Sequence, residues 1–554
     1  TGFCPQCGSK NVFIEPTYSI MKIKNFLVLV ALLLVSGTVF QVAAQSEDKI
    51  TQAVMKVYDD YIAKNPNDYS TLFMRANQHY FNGSYDAALS DVNRTIQLAP
   101  AKETELLFDA YMLRSKLYEL NRNYDAALAD VDKASTIDPT SLAWVDMKGK
   151  LAYAKGDYAT AEAQFKTILQ RVPRNFDAMY CLGCIEADKG NADEAMNWVN
   201  QAVGLFPAEP QVYLNRAHVQ EMLGKYRDAS DTYLIAMSST DDNGESISRI
   251  VELADTHYDD VMASLRSATD DNPRVGIFYR VRSAIALKYN HYGQALRDLK
   301  AITDNNLMEY STIYNDEAKC LYQLGDYDQA YIYANKAVAS DPINPDGYVL
   351  RSQIERRQGK GNNFTTAINT LDQALVLDPN YAPALMEKAR LMIEQKKYKE
   401  ALPLLDKAVA AEPENAELLM LRGWLNKNHL KNAAAATTDF QQVLSLPDED
   451  VTSLRGFALH ELNRDSEAAA WAEEKIKEAS LTGGETYYYA AALHAAMGNK
   501  AQGLKYLESC LANGYGGLYD IKVNDAPYVN LAPLRSESTF NMLINQSQLN
   551  FQER

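Results

Sequence analysis

The feature that most constrains this chain is a helical pattern that stops and restarts at a fixed interval. In Tyr69 to Pro100, apolar residues at Leu72, Ala76 and Tyr80 break off at Gly83, and the pattern resumes through Tyr85, Ala88, Val92 and Ile96 before halting at Pro100. Spacings of three and four residues mark one face of an α-helix, so the stretch reads as a helical hairpin. Gly83 can take the left-handed conformation that ends the first helix without steric cost. The ring of Pro100 disfavours helical geometry in the residue before it. Ala76 and Ala88 are small where the two helices cross, which lets the backbones approach, while Tyr80 and Tyr85 fill the space beside the crossing.

The closing proline recurs at Pro100, Pro139, Pro173, Pro207, Pro342, Pro379 and Pro413, in steps of 39, 34, 34, 135, 37 and 34 residues. The step of 135 is close to four of 34, so the period is about 34. The turn and the start of the second helix repeat in phase: GSYDAA at Gly83, NYDAA at Asn123, GDYATA at Gly156, GNADEA at Gly190, GKYRDA at Gly224, HYGQA at His291, GDYDQA at Gly325, NFTTA at Asn363 and KYKEA at Lys397. Over roughly Tyr69 to Leu511 these motifs resemble the tetratricopeptide repeat. The resemblance implies an all-α, right-handed superhelical α-solenoid of about thirteen TPR-like helical hairpins with capping helices, whose concave face binds other polypeptides. A solenoid grows by stacking, so a length of 554 residues counts repeats rather than globular domains.

The chain divides accordingly. Residues 1–20 begin with Thr and carry CPQCG from Cys4 to Gly8, half of a zinc ribbon without its second pair; they read as an upstream segment outside the mature protein, or else as a zinc knuckle of a longer chain. Residues 21–44 have a basic head at Lys22 and Lys24, an apolar run from Phe26 to Val35, and Val42-Ala43-Ala44 before Gln45, which is the pattern of a secretory signal peptide. Similarity to exported repeat proteins of Gram-negative bacteria implies a periplasmic or secreted product. The alternative is an uncleaved anchor, because Phe26 to Ala44 is 19 residues long and a span needs about 20. Residues 45–68 form a capping helix with an apolar stripe through Val54, Tyr58 and Ile62.

Residues 69–240 make a first array and 276–482 a second, with 483–554 a terminal repeat and a cap in which Leu531, Leu534, Phe540, Leu543 and Ile544 cover the last helix pair. Between the arrays, 241–275 has the length of a repeat but no turn glycine or second-helix tyrosine in register, and reads as a degenerate repeat and joint. Its acidic residues, from DDNGE at Asp241 to Asp271, raise a calcium reading against the plainer one of solvated loops; no complete twelve-residue loop is present.

No GxSxG elbow and no GxxxxGK loop occur, and His460-Glu461 fails as a zinc-protease helix because Arg464 stands where the second His belongs. The reading is a non-enzymatic chain without cofactor. Cys181 and Cys184 sit in mid-helix in CLGC, where packing accounts for them better than redox chemistry. Without residues 1–44 the chain keeps 52 bases and 71 acids, and a net charge of −19 repels nucleic acid and anionic lipid.

Counting each aligned repeat from its start, at Tyr69, Phe108, Leu142, Phe176, Pro210, Gly276, Ser311, Pro345, Ala382, Ala416, Glu449 and Gly484, the ninth slot of the first helix lies on the concave side if the resemblance holds. It is occupied by Asn77, Lys116, Lys150, Cys184, His218, Ala284, Lys319, Gln353, Arg390, Trp424, Phe457 and Ala492, none of them acidic. Arg356 and Lys427 stand one turn further along. The expectation is a basic groove on an acidic body: Lys319, Arg356, Arg390 and Lys427 grip carboxylates of an extended, acidic protein or peptide, and Trp424 adds an apolar contact. The alternative is that Glu387, Glu394 and Glu417 pair with these cations and leave a neutral face. No three successive repeats supply the Lys, Asn and Arg set of the family's carboxylate clamp. The functional expectation is an interaction scaffold of the bacterial envelope, or alternatively an accessory subunit of an envelope enzyme or transporter.

Overall fold

The computed structural model describes residues 47–554 apart from 239–243, 309–310, 359–362, 448–453, 479–483, 524–526 and 554. The CPQCG segment, the leader at 21–44 and the first part of DDNGE lie outside the described residues. Two compact units divide the chain, Thr1–Asp241 and Asp242–Arg554. Among the described residues, no helix is long and apolar enough to cross a membrane.

In the N-terminal unit the helix Glu47–Lys64 buries Tyr58 and Ile62 with Leu72 of the first hairpin. Five hairpins follow: Tyr69–Phe81 with Tyr85–Leu98, Thr104–Leu120 with Tyr124–Ile137, Leu142–Ala154 with Tyr158–Arg171, Phe176–Asp188 with Ala192–Leu205, and Pro210–Met222 with Tyr226–Met237. The turns are made as the glycines require, with Gly83 at φ +73°. Where glycine is missing, Arg122 takes φ +56° itself, and the Asn123 side chain then caps the second helix by accepting from the Ala126 amide at 3.3 Å. Ala76 and Ala88 are fully buried at their crossing.

A lock joins the two helices of several hairpins. Arg75, in the seventh slot of its helix, donates from Nε and Nη2 to the two oxygens of Asp91 at 2.6 and 2.8 Å. Arg114 repeats this with Asp130 at 2.7 and 2.6 Å. In the C-terminal unit Arg282 does so with Asp298 at 2.9 and 2.6 Å, and Arg422 with Asp439 at 3.1 and 2.7 Å. These aspartates are buried. The bidentate fork satisfies both oxygens, which is the condition under which a buried carboxylate can stay charged.

The first described helix of the C-terminal unit is Glu245–Asp271, interrupted at His257, whose φ of −133° and ψ of 48° are not helical. Tyr258 follows at once, 34 residues before Tyr292, which opens its own second helix. The second-helix tyrosine that the sequence pattern does not show in this stretch is therefore present. It escapes the pattern because this turn is made without any left-handed residue, and so without glycine. Seven hairpins follow, with first helices Gly276–Lys288, Ser311–Gln323, Pro345–Arg357, Ala382–Glu394, Ala416–Leu425, Arg455–Glu461 and Gly484–Ala496. The helix Ala416–Leu425 runs on into a π-helical turn, Asn426–Leu430, that ends at Lys431 with φ +58°.

After the last hairpin come the short helix Leu518–Lys522, a 3-10 turn at Ala532–Leu534, and the helix Ser538–Glu553. Leu531, Leu534, Phe540, Leu543 and Ile544 are buried in one core with Ala491, Leu507 and Cys510 of that hairpin. The helix Ser538–Glu553 also packs against Tyr292–Asp304, the second helix of the hairpin that Gly276–Lys288 opens.

Candidate functional site

Each unit has its own row of first helices, and the two rows differ. In the N-terminal unit Asn77 turns onto its own helix, donating to the Phe73 carbonyl at 2.9 Å. Cys184 is fully buried beside Cys181 in the core, and the His218 ring lies 6.0 Å from that of Tyr180. Lys150 Nζ pairs with Asp146 at 2.7 Å; burial works against the ammonium, but Asp146 holds its pKa above the usual range. Lys116 makes no ion pair among the described residues, and burial, with the neighbouring Lys150, lowers its pKa.

The ninth slot carries no acid, but other slots on these helices do. Asp109 in the second slot is only 9% exposed, and its Oδ2 has no hydrogen-bond partner. Burial, with Glu105 nearby, pushes its pKa up to about 6, against the pull of Lys116. Glu119, one turn beyond Lys116, and Asp177 are also raised by burial and held down by the lysines. Among the described residues, the second and twelfth slots thus place Asp109, Glu119 and Asp177 around Lys116 and the Asp146–Lys150 pair.

In the C-terminal unit the candidate cations other than Lys319 are engaged within the chain. Gln353, Arg356 and Arg390 converge on the buried Glu387, at 3.4, 3.9 and 3.6 Å. Arg356 also pairs with Glu394, and Arg390 with Glu417. Lys427, on the π-helical turn, donates to the Glu461 carbonyl at 2.5 Å and pairs with its carboxylate at 2.9 Å. Trp424 meets His429 edge to face at 4.9 Å, and His429 is stacked on Tyr398 at 3.8 Å. Lys319 is exposed and has no ion pair among the described residues.

The C-terminal segment also crosses this row, which the periodic reading does not show. Gly516 lies against the turn before Tyr292, so close that a Cβ there would stand 2.2 Å from the Asn290 carbonyl oxygen. Leu518–Lys522 packs on Ser311–Gln323, with the Tyr519 ring 4.5 Å from that of Tyr322. Arg357 Nη2 donates to the Tyr519 hydroxyl at 2.9 Å. Further on, the Tyr528 hydroxyl donates to the Glu417 carbonyl at 3.2 Å, and Arg390 lies within hydrogen-bonding reach of it. Burial pushes the Tyr528 pKa up, which keeps the hydroxyl protonated as a donor.

Family profiles described as tetratricopeptide repeat match residues 108–141, 147–210, 284–345 and 360–425. The chain is 23% identical over 298 residues to the Protein CTR9 homolog of Arabidopsis thaliana, covering 51% of this chain and 27% of that protein. It is 22% identical over 361 residues to a TPR repeat-containing protein of Methanocaldococcus jannaschii, covering 59% of this chain and 61% of that one. The chain thus spans under two thirds of the length of each of these relatives. Among solved structures, a human IFIT1 dimer is similar over 73% of this chain and 90% of its own, at 15% identity and a TM-score of 0.32. A tetratricopeptide repeat protein from Parabacteroides merdae is similar over 52% and 98%, at 14% identity and a TM-score of 0.27. Repeats of this type generally mediate protein–protein interaction. The repeat motifs, the stacked hairpins and the profile matches agree: each unit is an all-α stack of helical hairpins, and tetratricopeptide repeats are recognised in it over the matched residues.

Proposed function

We propose that the chain is a non-enzymatic interaction scaffold and that the first-helix face of its N-terminal unit takes an extended polypeptide carrying basic side chains. The observation that carries this is Asp109, a carboxylate nine-tenths buried with one oxygen unpartnered, on a face where Glu119 and Asp177 are also pressed toward the neutral form. A buried acceptor without a partner costs about 1–3 kcal/mol, and an incoming ammonium or guanidinium recovers that cost. The expectation of an acidic partner rests on the ninth slot with Arg356 and Lys427 of the C-terminal unit; in the N-terminal unit the second and twelfth slots add Asp109, Asp177 and Glu119, and that face carries more acids than bases. Lys116 then sets the register, by taking one acidic or carbonyl group of the same segment.

The test is an array of extended synthetic peptides probed with the full chain. Lysine- and arginine-bearing peptides should bind, binding should weaken as salt rises, and Asp109→Lys with Asp177→Lys should abolish it. Preference for acidic peptides, or undiminished binding by the double variant, would defeat the proposal. We also infer export, to the periplasm or beyond, from the pattern of residues 21–44. The mass of the product's N-terminus checks it: a chain starting at Gln45 is expected, and one retaining Met21 would support the anchor instead.

A further inference from the structure

We propose that the first-helix face of the C-terminal unit is a second binding groove, selective for a segment with two tyrosines, and that the chain's own residues 514–523 and 527–529 are its resident occupant. This goes beyond the reading of the N-terminal unit and rests on different residues. Tyr519 and Tyr528 each bring a hydroxyl to a group presented by a first helix: Tyr519 accepts from Arg357, and Tyr528 donates to the Glu417 carbonyl. The Tyr519 ring packs at a tilt against that of Tyr322, 4.5 Å away, and the Arg357 guanidinium lies 5.2 Å from its centroid. Tyr519 and Tyr528 are 8% and 7% exposed. Aromatic side chains with polar tips, set at intervals along a segment and read by fixed donors and acceptors of a scaffold, are the usual anchors of peptide recognition.

The resident segment leaves part of the groove unsatisfied. Nε of Arg357, Nε of Arg390, Oε1 of Glu387 and Nε2 of Gln395 are buried without a hydrogen bond. An occupant that meets these groups as well as the two tyrosine positions can compete with the chain's own segment. Its tyrosines must reach groups on two different first helices, Pro345–Arg357 for the one and Ala416–Leu425 for the other, as Tyr519 and Tyr528 do from nine residues apart in the sequence. Competition of this kind couples the arrival of a partner to release of the segment.

The experiment uses the full chain and a fluorescent synthetic peptide with the sequence of residues 514–530. The wild type should bind it weakly. Tyr519→Ala with Tyr528→Ala, which removes the anchors of the resident segment, should bind it at least tenfold more tightly, and adding Arg357→Ala should cancel that gain. A peptide with both tyrosines replaced by alanine should not bind either protein. Should the double variant not fold, the wild type still decides the matter by hydrogen exchange: excess peptide should speed exchange at the amides of Leu518–Lys522, and no change would overturn the proposal. Equal binding by wild type and a folded double variant would also overturn it, and would make the segment a fixed part of the core. Asp109→Lys, which tests the N-terminal face, should leave every one of these readings unchanged.

Discussion

The two rows of first helices are built from the same repeat, yet one keeps ionisable groups without partners and the other has paired nearly all of its own. In the N-terminal unit Asp109 and Lys116 make no ion pair among the described residues, and burial shifts both toward neutrality. In the C-terminal unit one buried carboxylate, Glu387, draws in Gln353, Arg356 and Arg390, and the chain's own Tyr519 and Tyr528 meet Arg357 and the Glu417 carbonyl. The repeat supplies the scaffold, and what a given face can bind is decided by whether its charges are already satisfied. Paired cations gain little from a new carboxylate, because the old partner would be left buried and alone.

The comparison breaks most visibly if the C-terminal unit does not depend on its closing segment. Leu531 is fully buried, so Leu531→Ala should cost that unit about 2–5 kcal/mol while leaving the N-terminal unit untouched. Hydrogen exchange resolved along the sequence would show it, and equal loss of protection in both units would mean that they unfold as one. A smaller effect concerns the seventh slot, which holds Arg75, Arg114 and Arg216 in the N-terminal unit but Glu317 in the helix Ser311–Gln323. Glu317 is fully buried, with a single hydrogen bond from Thr303 at 2.9 Å and its other oxygen unpartnered. Burial raises its pKa from 4.5 to about 7.

A carboxyl pKa raised on folding means that the native state holds its proton more tightly than the unfolded chain, so the contribution to stability is full below pH 4.5 and is lost as pH rises through 7. Glu317→Gln should therefore raise the stability of the C-terminal unit by on the order of 2 kcal/mol at pH 8 and by nothing at pH 4. Thermal unfolding of the two proteins across that range measures the difference, and a gain that did not vary with pH would show that Glu317 does not titrate there.

The smallest effect sharpens the comparison at Asp109. Its carboxyl is pushed up to about 6, so capture of a lysine-bearing peptide by the N-terminal unit should fall a few-fold as pH drops from 7 to 5, while Asp109→Asn should bind weakly with a flat profile. Isothermal titration at several pH values reads it directly. A wild-type profile as flat as that of the variant would remove Asp109 from the site.

How much of this can be read from the residues follows from how local each feature is. Turn glycines, closing prolines and the small residues at each crossing act within one hairpin, and they announce the solenoid without help. The Arg–Asp lock is also within reach, since Arg75 and Asp91, Arg114 and Asp130, and Arg282 and Asp298 all stand sixteen residues apart. Tyr258 is hidden because recognition leans on glycine, and this one turn does without it. Pairing of the cations is hidden for another reason: the sign of Arg390 is written in the sequence, but the burial of Glu387 that holds it depends on the stacking of neighbouring hairpins. Least legible is the resident segment, where Arg357 meets Tyr519 across 162 residues and Tyr528 meets Glu417 across 111, separations that no period of 34 can express.

The contact between Ser538–Glu553 and Tyr292–Asp304 bears on how such a unit can evolve. An open stack of repeats tolerates duplication, since a new hairpin only lengthens it. A stack tied back to its own beginning has a fixed number of places: one hairpin more or fewer would turn the closing helix away from its seat and carry Gly516 off the Asn290 turn. Change in the C-terminal unit should therefore accumulate by substitution within hairpins rather than by gain or loss of whole ones.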